Sequence, residues 1–197
     1  VTEKGCVTCH MTPTPAEGEY GHNEVGGHTF RMYSDNATPT NTKDDVENIA
    51  ACKQCHPAFD TFNVKAKGDY DGNGKVEGVQ TEVSGLLTLL AAELPKIAAG
   101  AITMPTNDEI AKMTPEDQVK AMNQRMANFN YALISIDGSL GIHNTAFAVQ
   151  VLRTTYEKFT GKKLAGDTIK TFPLPVPVRP VTDDAIDKRL AQWEASP

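Results

Sequence analysis

The sequence predicts a mainly α-helical fold with an irregular N-terminal part and an extended C-terminal arm. Three observations carry that expectation. Three stretches in the middle of the chain space their apolar residues three and four apart, as one face of a helix requires. Residues 1–42 lack that period and are rich in Gly, Pro, Thr and Asn. Alternate prolines from Pro173 to Pro180 forbid both helix and central strand.

In chain order, a short turn is expected at Cys6–His10 inside otherwise irregular chain. Thr42, with Asp45 three positions on, predicts an N-cap for a helix running into Cys52–His56, with Val46 and Ile49 inward. A helix from about Thr81 turns Val83, Leu86, Leu87, Leu90 and Leu94 inward and is interrupted at Pro95. Another opens at Thr114-Pro115-Glu116-Asp117, which supplies a cap, a proline at the first helical position and acids in the first turn. Its stripe of Val119, Met122, Met126, Phe129 and Leu133 is expected to pack inward. A third helix spans about Asn144 to Phe159, with Ala146, Val149, Leu152, Tyr156 and Phe159 as its stripe, and stops at Gly161. Beyond the prolines, a segment of about Thr182–Trp193 gathers Ile186, Leu190 and Trp193. The expected division is a domain over residues 1–163 and an arm with a short terminal helix over 164–197.

Composition narrows the function classes. A chain of 197 residues suits one domain or at most two small ones. Nineteen Lys and Arg against 25 Asp and Glu leave a formal charge of −6, which argues against nucleic-acid binding. The apolar runs Leu86–Leu87 and Leu89–Ala92 fall far short of the roughly 18 residues that cross a bilayer. Val1 is not an initiator methionine and no leader motif opens the chain, so a mature or trimmed product is expected.

All four cysteines fall in two copies of one pentapeptide, Cys6-Val7-Thr8-Cys9-His10 and Cys52-Lys53-Gln54-Cys55-His56. C-x-x-C-H is the attachment pattern of a c-type haem. Two thiols three positions apart lie on one side of a helical turn, where they add across the two vinyl groups of one porphyrin. The histidine that follows is carried under the ring to bind iron. Zinc ribbons separate their two pairs by about 15–20 residues, whereas 42 residues lie between Cys9 and Cys52. A thioredoxin-like pair has no need to occur twice, each time before a histidine, and a chain of this length needs no disulfide staples. Two haems c are the expected cofactors.

Two haems offer four axial positions, of which His10 and His56 fill two. His22, His28 and His143 remain, and six methionines compete with them. Ligation of both irons by two histidines is expected, through His28 and His143, with His22 as the spare. His28 follows Gly26-Gly27, where the backbone can approach a flat macrocycle. His143 stands at the entrance to a long helix.

Asp69-Tyr70-Asp71-Gly72-Asn73-Gly74-Lys75-Val76-Glu77 matches the first nine positions of a calcium loop. Position 12 is Gln80 where a bidentate Glu belongs, and Glu82 stands two further on. Calcium held by Asp69, Asp71, Asn73, the Lys75 carbonyl and Glu82 is expected, as a structural clamp within residues 69–82. The competing reading is a Gly/Asp surface turn.

Several of these stretches together resemble a known family. They are Cys6–His10 followed by Met11, Gly27-His28-Thr29-Phe30, Cys52–His56 followed by Pro57, the Asp69–Gly78 loop, and Asp137-Gly138-Ser139 leading to His143-Asn144. Their order resembles multihaem cytochromes c, specifically the C-terminal haem region of the superfamily that includes ammonia-forming cytochrome c nitrite reductase. The likeness covers roughly residues 5–160. It implies a mostly helical fold, bis-histidine haems, a distal histidine from the late helix, and a location in the periplasm or at the cell surface. It also implies that His143 serves the haem of Cys6 and Cys9, leaving His28 for that of Cys52 and Cys55. The catalytic haem of that enzyme carries a lysine in place of the proximal histidine, and this chain has no C-x-x-C-K.

The expected function is electron transfer by a dihaem cytochrome, docking with redox partner proteins through an acidic surface. The alternatives are a multihaem oxidoreductase acting on a small nitrogen or sulfur oxyanion, which needs one five-coordinate iron, and a haem-carrying subunit of a homo-oligomer or larger assembly.

Overall fold

A computed structural model describes residues 5–35, 40, 44–94 and 105–169. The proline-rich arm, the terminal segment at 182–193, Thr42 and Pro95 lie outside the described residues. The described chain is mainly helical, with α1 Cys6–His10, α2 Ala50–Lys53, α3 Val79–Glu93, α4 Asn107–Ala111, α5 Pro115–Asp137 and α6 Thr145–Thr160. Two short strands, β1 Tyr33–Ser34 and β2 Val46–Glu47, pair antiparallel in the N-terminal part.

The core lies where α3 and α5 both pack on α6. Val83, Leu86, Leu90, Val149 and Leu152 are almost wholly buried there, each stabilising the fold by about 1.5–3 kcal/mol. Asn63, from the preceding loop, caps α3: its Oδ1 accepts from the backbone N–H of Gln80 at 3.0 Å and of Thr81 at 3.2 Å. Asn144 Oδ1 accepts from Phe147 N–H at 3.1 Å and opens α6, and Gly161 at φ +72° closes it. Thr114 and Pro115 start α5 as the sequence expects. Thr106 and Glu109 form a reciprocal capping box on α4, a helix the apolar spacing did not reveal.

Two expectations are overturned. The α5 stripe does not face inward: Val119, Met122, Phe129 and Leu133 are all exposed. Instead α5 buries Ala121, Ala127, Asn128 and Ile134. Ala127 and Ile134 join the core shared with α3 and α6, and Asn130 Nδ2 donates to Thr155 Oγ1 of α6 at 2.8 Å. The second correction concerns the helix expected before Cys52. Val46 and Glu47 are a strand, in register with Ser34 and Tyr33, and only Ala50–Lys53 is helical. Long-range bonds outweigh the local capping signal there. Asn48 N–H donates to Met32 O at 2.8 Å, and the Glu47 carboxylate accepts from Thr61 Oγ1 and Phe62 N–H.

Residues 164–169 lie across the Asp69–Asn73 loop. Buried Arg153 of α6 donates to the carbonyls of Leu164 and Ala165 on one side and of Tyr70 on the other. Asp69 N–H donates to Asp167 Oδ2 at 3.0 Å.

Candidate functional site

The α1 turn buries none of its five residues, so its thiols and imidazole are presented outward. Thr12 Oγ1 donates to Cys9 O at 2.8 Å and closes the turn. His10 Nδ1 donates to Phe30 O at 2.8 Å, and the two rings stack with centroids 4.7 Å apart. A proton committed to Nδ1 leaves Nε2 as a lone-pair donor. Phe30 reaches this place because the short turn Gly27–Thr29 ends on it in the left-handed region, at φ +61°. Gly26 must be glycine. A Cβ there would stand 2.2 Å from Thr12 O and 2.4 Å from Asn48 Nδ2. Its close approach is therefore to the α1 exit and to Asn48, while Gly27 faces open space.

Across from His10 stands His143, with ring centroids 5.9 Å apart and planes inclined by 49°. It sits on the loop between α5 and α6 and is held by the last residue of α5: Nδ1 donates to Asp137 Oδ1 at 2.8 Å. The same carboxylate accepts from Ser139 Oγ and from Ser139 N–H. Burial pushes the Asp137 carboxyl up, but the hydrogen bonds from Ser139 and His143, with the charge of His143, hold it below the usual value. Both facing imidazoles are thus fixed through Nδ1, with Nε2 uncommitted. Two imidazoles on opposite sides of one metal, at about 2 Å per bond, have centroids about 6 Å apart.

Both rings line a cavity of 680 Å³, together with Cys6, Cys9, Cys52 and Phe62 among others, a volume within the usual range for a cofactor site. Two thiols and two imidazoles fixed through Nδ1 at one cavity fit a thioether-linked porphyrin.

The second turn is built differently. α2 lies against α1, and Cys52 reaches the wall of the same cavity. Burial, and then the neighbouring Cys9, push the Cys52 thiol up. Cys55 and His56 are exposed, and among the described residues the ring set against His56 is that of Phe59, at 6.3 Å. Neither His22 nor His28 stacks against it. His28 is exposed in the Gly27–Thr29 turn. His22 is half-buried, and its Nδ1 donates to Pro15 O at 2.7 Å. His22 therefore shares with His10 and His143 the fixed Nδ1 that His28 lacks.

The Asp69–Gly78 loop gathers three carboxylates. One oxygen each from Asp69, Asp71 and Glu82 lies within 4.8 Å of the others, the only such group of three metal-ligating side chains among the described residues. Glu82, wholly buried, accepts from the N–H groups of Tyr70, Asp71 and Glu77. Asp69 accepts from those of Gly72, Asn73 and Gly74. Gln80 at position 12 turns away, its Nε2 donating to Ser139 O at 3.2 Å, so Glu82 supplies the last carboxylate. Asn73 gives its Oδ1 to Lys75 N–H and its Nδ2 to Asp71 and Glu77. Burial pushes the Asp71 carboxyl up; the bond from Asn73 N–H opposes this, and the charges of Glu82 and Asp69 add to it.

Sequence reasoning missed Asp137 and Ser139 as holders of His143, and the Phe30 carbonyl as the holder of His10. An acid six positions before a candidate ligand was the available signal for the first pair; a backbone carbonyl leaves none. No family model, characterised protein or solved structure matches the chain.

Proposed function

We propose that the chain is an electron-transfer protein carrying two covalently attached haems c. The observation that carries this reading is the approach of His143 to His10 at a cavity that both thiols of the first turn also line. A zinc reading asks the thiols to converge on one point, and among the described residues they form no such group. Bound haem supplies reversible one-electron cycling of its iron. The protein's part is to hold and tune it. Cys6 and Cys9 would retain the macrocycle, His10 and His143 would hold its iron, and the Phe30 carbonyl and Asp137 fix the two imidazoles through Nδ1. Direct packing of α1 on α2 places the two attachment turns side by side, the arrangement that short-range electron exchange needs. Attachment of this kind implies a location outside the cytoplasm, and a formal charge of −6 favours redox partners with basic docking patches.

Intact-mass analysis of native protein, with a pyridine haemochrome, tests the reading. Polypeptide plus two haems is expected; bare polypeptide, or polypeptide plus zinc, overturns it.

The second reading, an oxidoreductase acting on a small nitrogen or sulfur oxyanion, is favoured by one observation: Phe59, not a histidine, stands against His56. Carbon monoxide binding to the reduced protein supports it, and refusal supports the carrier.

We also propose that the Asp69–Glu82 loop binds calcium as a structural clamp. Three clustered carboxylates, one wholly buried, have no Lys or Arg ion pair among the described residues, and such a group relieves its repulsion by taking a cation. Calcium is expected to raise the thermal midpoint. An unchanged midpoint assigns the loop to a self-bonded surface turn.

A further inference from the structure

Hydrogen-bond donors on the wall of the cavity beside His10 and His143 are almost all engaged within the protein. Tyr33 gives its hydroxyl to Asp45. Gln80 Nε2 donates to Ser139 O, and Ser139 Oγ donates to Asp137. His10 and His143 commit Nδ1 to Phe30 O and to Asp137. Arg31 is different. It is the one Lys or Arg among the residues that line the cavity. Its side chain makes no hydrogen bond or ion pair among the described residues. Its backbone, by contrast, is held on both sides. Arg31 O accepts from Gly26 N–H at 2.7 Å, and Arg31 N–H donates to Thr29 Oγ1 at 3.2 Å. Phe30, the residue before it, holds His10 through its carbonyl. One short stretch of chain therefore fixes an imidazole and brings an uncommitted guanidinium to the same cavity.

We propose that Arg31 pairs with a propionate of the first haem. The proposal rests on the reading of this site as a thioether-linked porphyrin. A porphyrin joined to Cys6 and Cys9 through its vinyl groups carries two carboxylates on its far edge. A carboxylate leaving water must find a partner, because an unpaired buried charge is strongly destabilising. The wall's own carboxylate, Asp137, is an acceptor already closed by Ser139 and His143, so it cannot serve. A planar guanidinium meets a carboxylate through two parallel N–H···O bonds, a geometry an ammonium group lacks. Its charge also offsets that of the propionate, which favours the ferrous iron over the ferric.

The haem-loaded full chain, with Arg31→Gln and Arg31→Lys, tests the pairing by spectroelectrochemistry and resonance Raman. Neither change touches the backbone bonds at this position. Arg31→Gln is expected to move the propionate bending bands of one haem. It is also expected to lower that haem's ferrous-to-ferric ratio at a fixed poise about fivefold, leaving the other haem unchanged. Arg31→Lys is expected to restore most of the ratio without restoring the band position, since it returns the charge and not the fork. A lowered ratio with unmoved bands marks a charge acting from a distance and overturns the pairing. So do bands and ratio that both stay put, or a shift shared equally by the two haems. The parent reading fails separately: native protein whose intact mass shows bare polypeptide removes the haem, and this pairing with it.

Discussion

The two C-x-x-C-H turns are nearly identical as sequence and unlike in their surroundings. Around Cys6–His10 the fold supplies a carbonyl for one imidazole, a carboxylate for its neighbour, and a cavity that both line. Around Cys52–His56 it supplies a half-buried first thiol, and Phe59 against an otherwise exposed histidine. The pentapeptide decides what can be attached. How the neighbouring imidazoles are arranged depends on chain far away in sequence. His143 reaches His10 only because α5 and α6 pack together and their connecting loop is tied to Asp137.

That contrast can be broken most sharply at the ligands. His143→Ala is expected to open one axial position on one iron only, changing half of the low-spin optical and EPR signal. His22→Ala and His28→Ala then decide the second iron: whichever variant alters the other half of the signal names its ligand, and an effect from neither leaves the second iron without a histidine of this chain opposite His56. Next in size is Glu82→Ala, which strands two buried N–H groups and a half-buried one and loosens the start of α3, where Gln80 bonds Ser139 on the loop that carries His143. A loss of about 3 kcal/mol in denaturant unfolding is expected, with the first haem's spectrum disturbed before the second's. Asp137→Asn is milder. It keeps the shape and removes the negative charge hydrogen-bonded to His143, so spectroelectrochemistry is expected to read a rise of about 50 mV, about 1 kcal/mol, in one haem alone. Equal shifts in both haems would erase the distinction drawn here. The smallest effect is expected from Asn144→Ala, which removes the α6 cap next to His143 and costs about 1 kcal/mol of stability, with the spectrum unchanged.

Much of the fold was legible because its signals are local. Thr114-Pro115 opens α5, Asn144 and Gly161 bound α6, and the leucines of α3 fall on the buried face the spacing assigned to them. The misreadings share one cause. On α5 the more apolar of two stripes points to a core face, whereas the buried one is made of Ala121, Ala127, Asn128 and Ile134, two of which join the core shared with α3 and α6. At Val46–Glu47 a capping signal pointed to helix, and pairing with Tyr33–Ser34 won.

What the sequence alone determined is chemical type: two thiols and an imidazole within one helical turn, twice, and a run of acids and glycines that folds on itself. These follow from spacing along the chain, which covalent geometry converts directly into spacing in space. Tertiary structure alone decided which histidine meets which and which face of α5 is left uncovered. Those are relations between residues more than a hundred positions apart, or between competing faces of one helix, and only packing the whole chain resolves them.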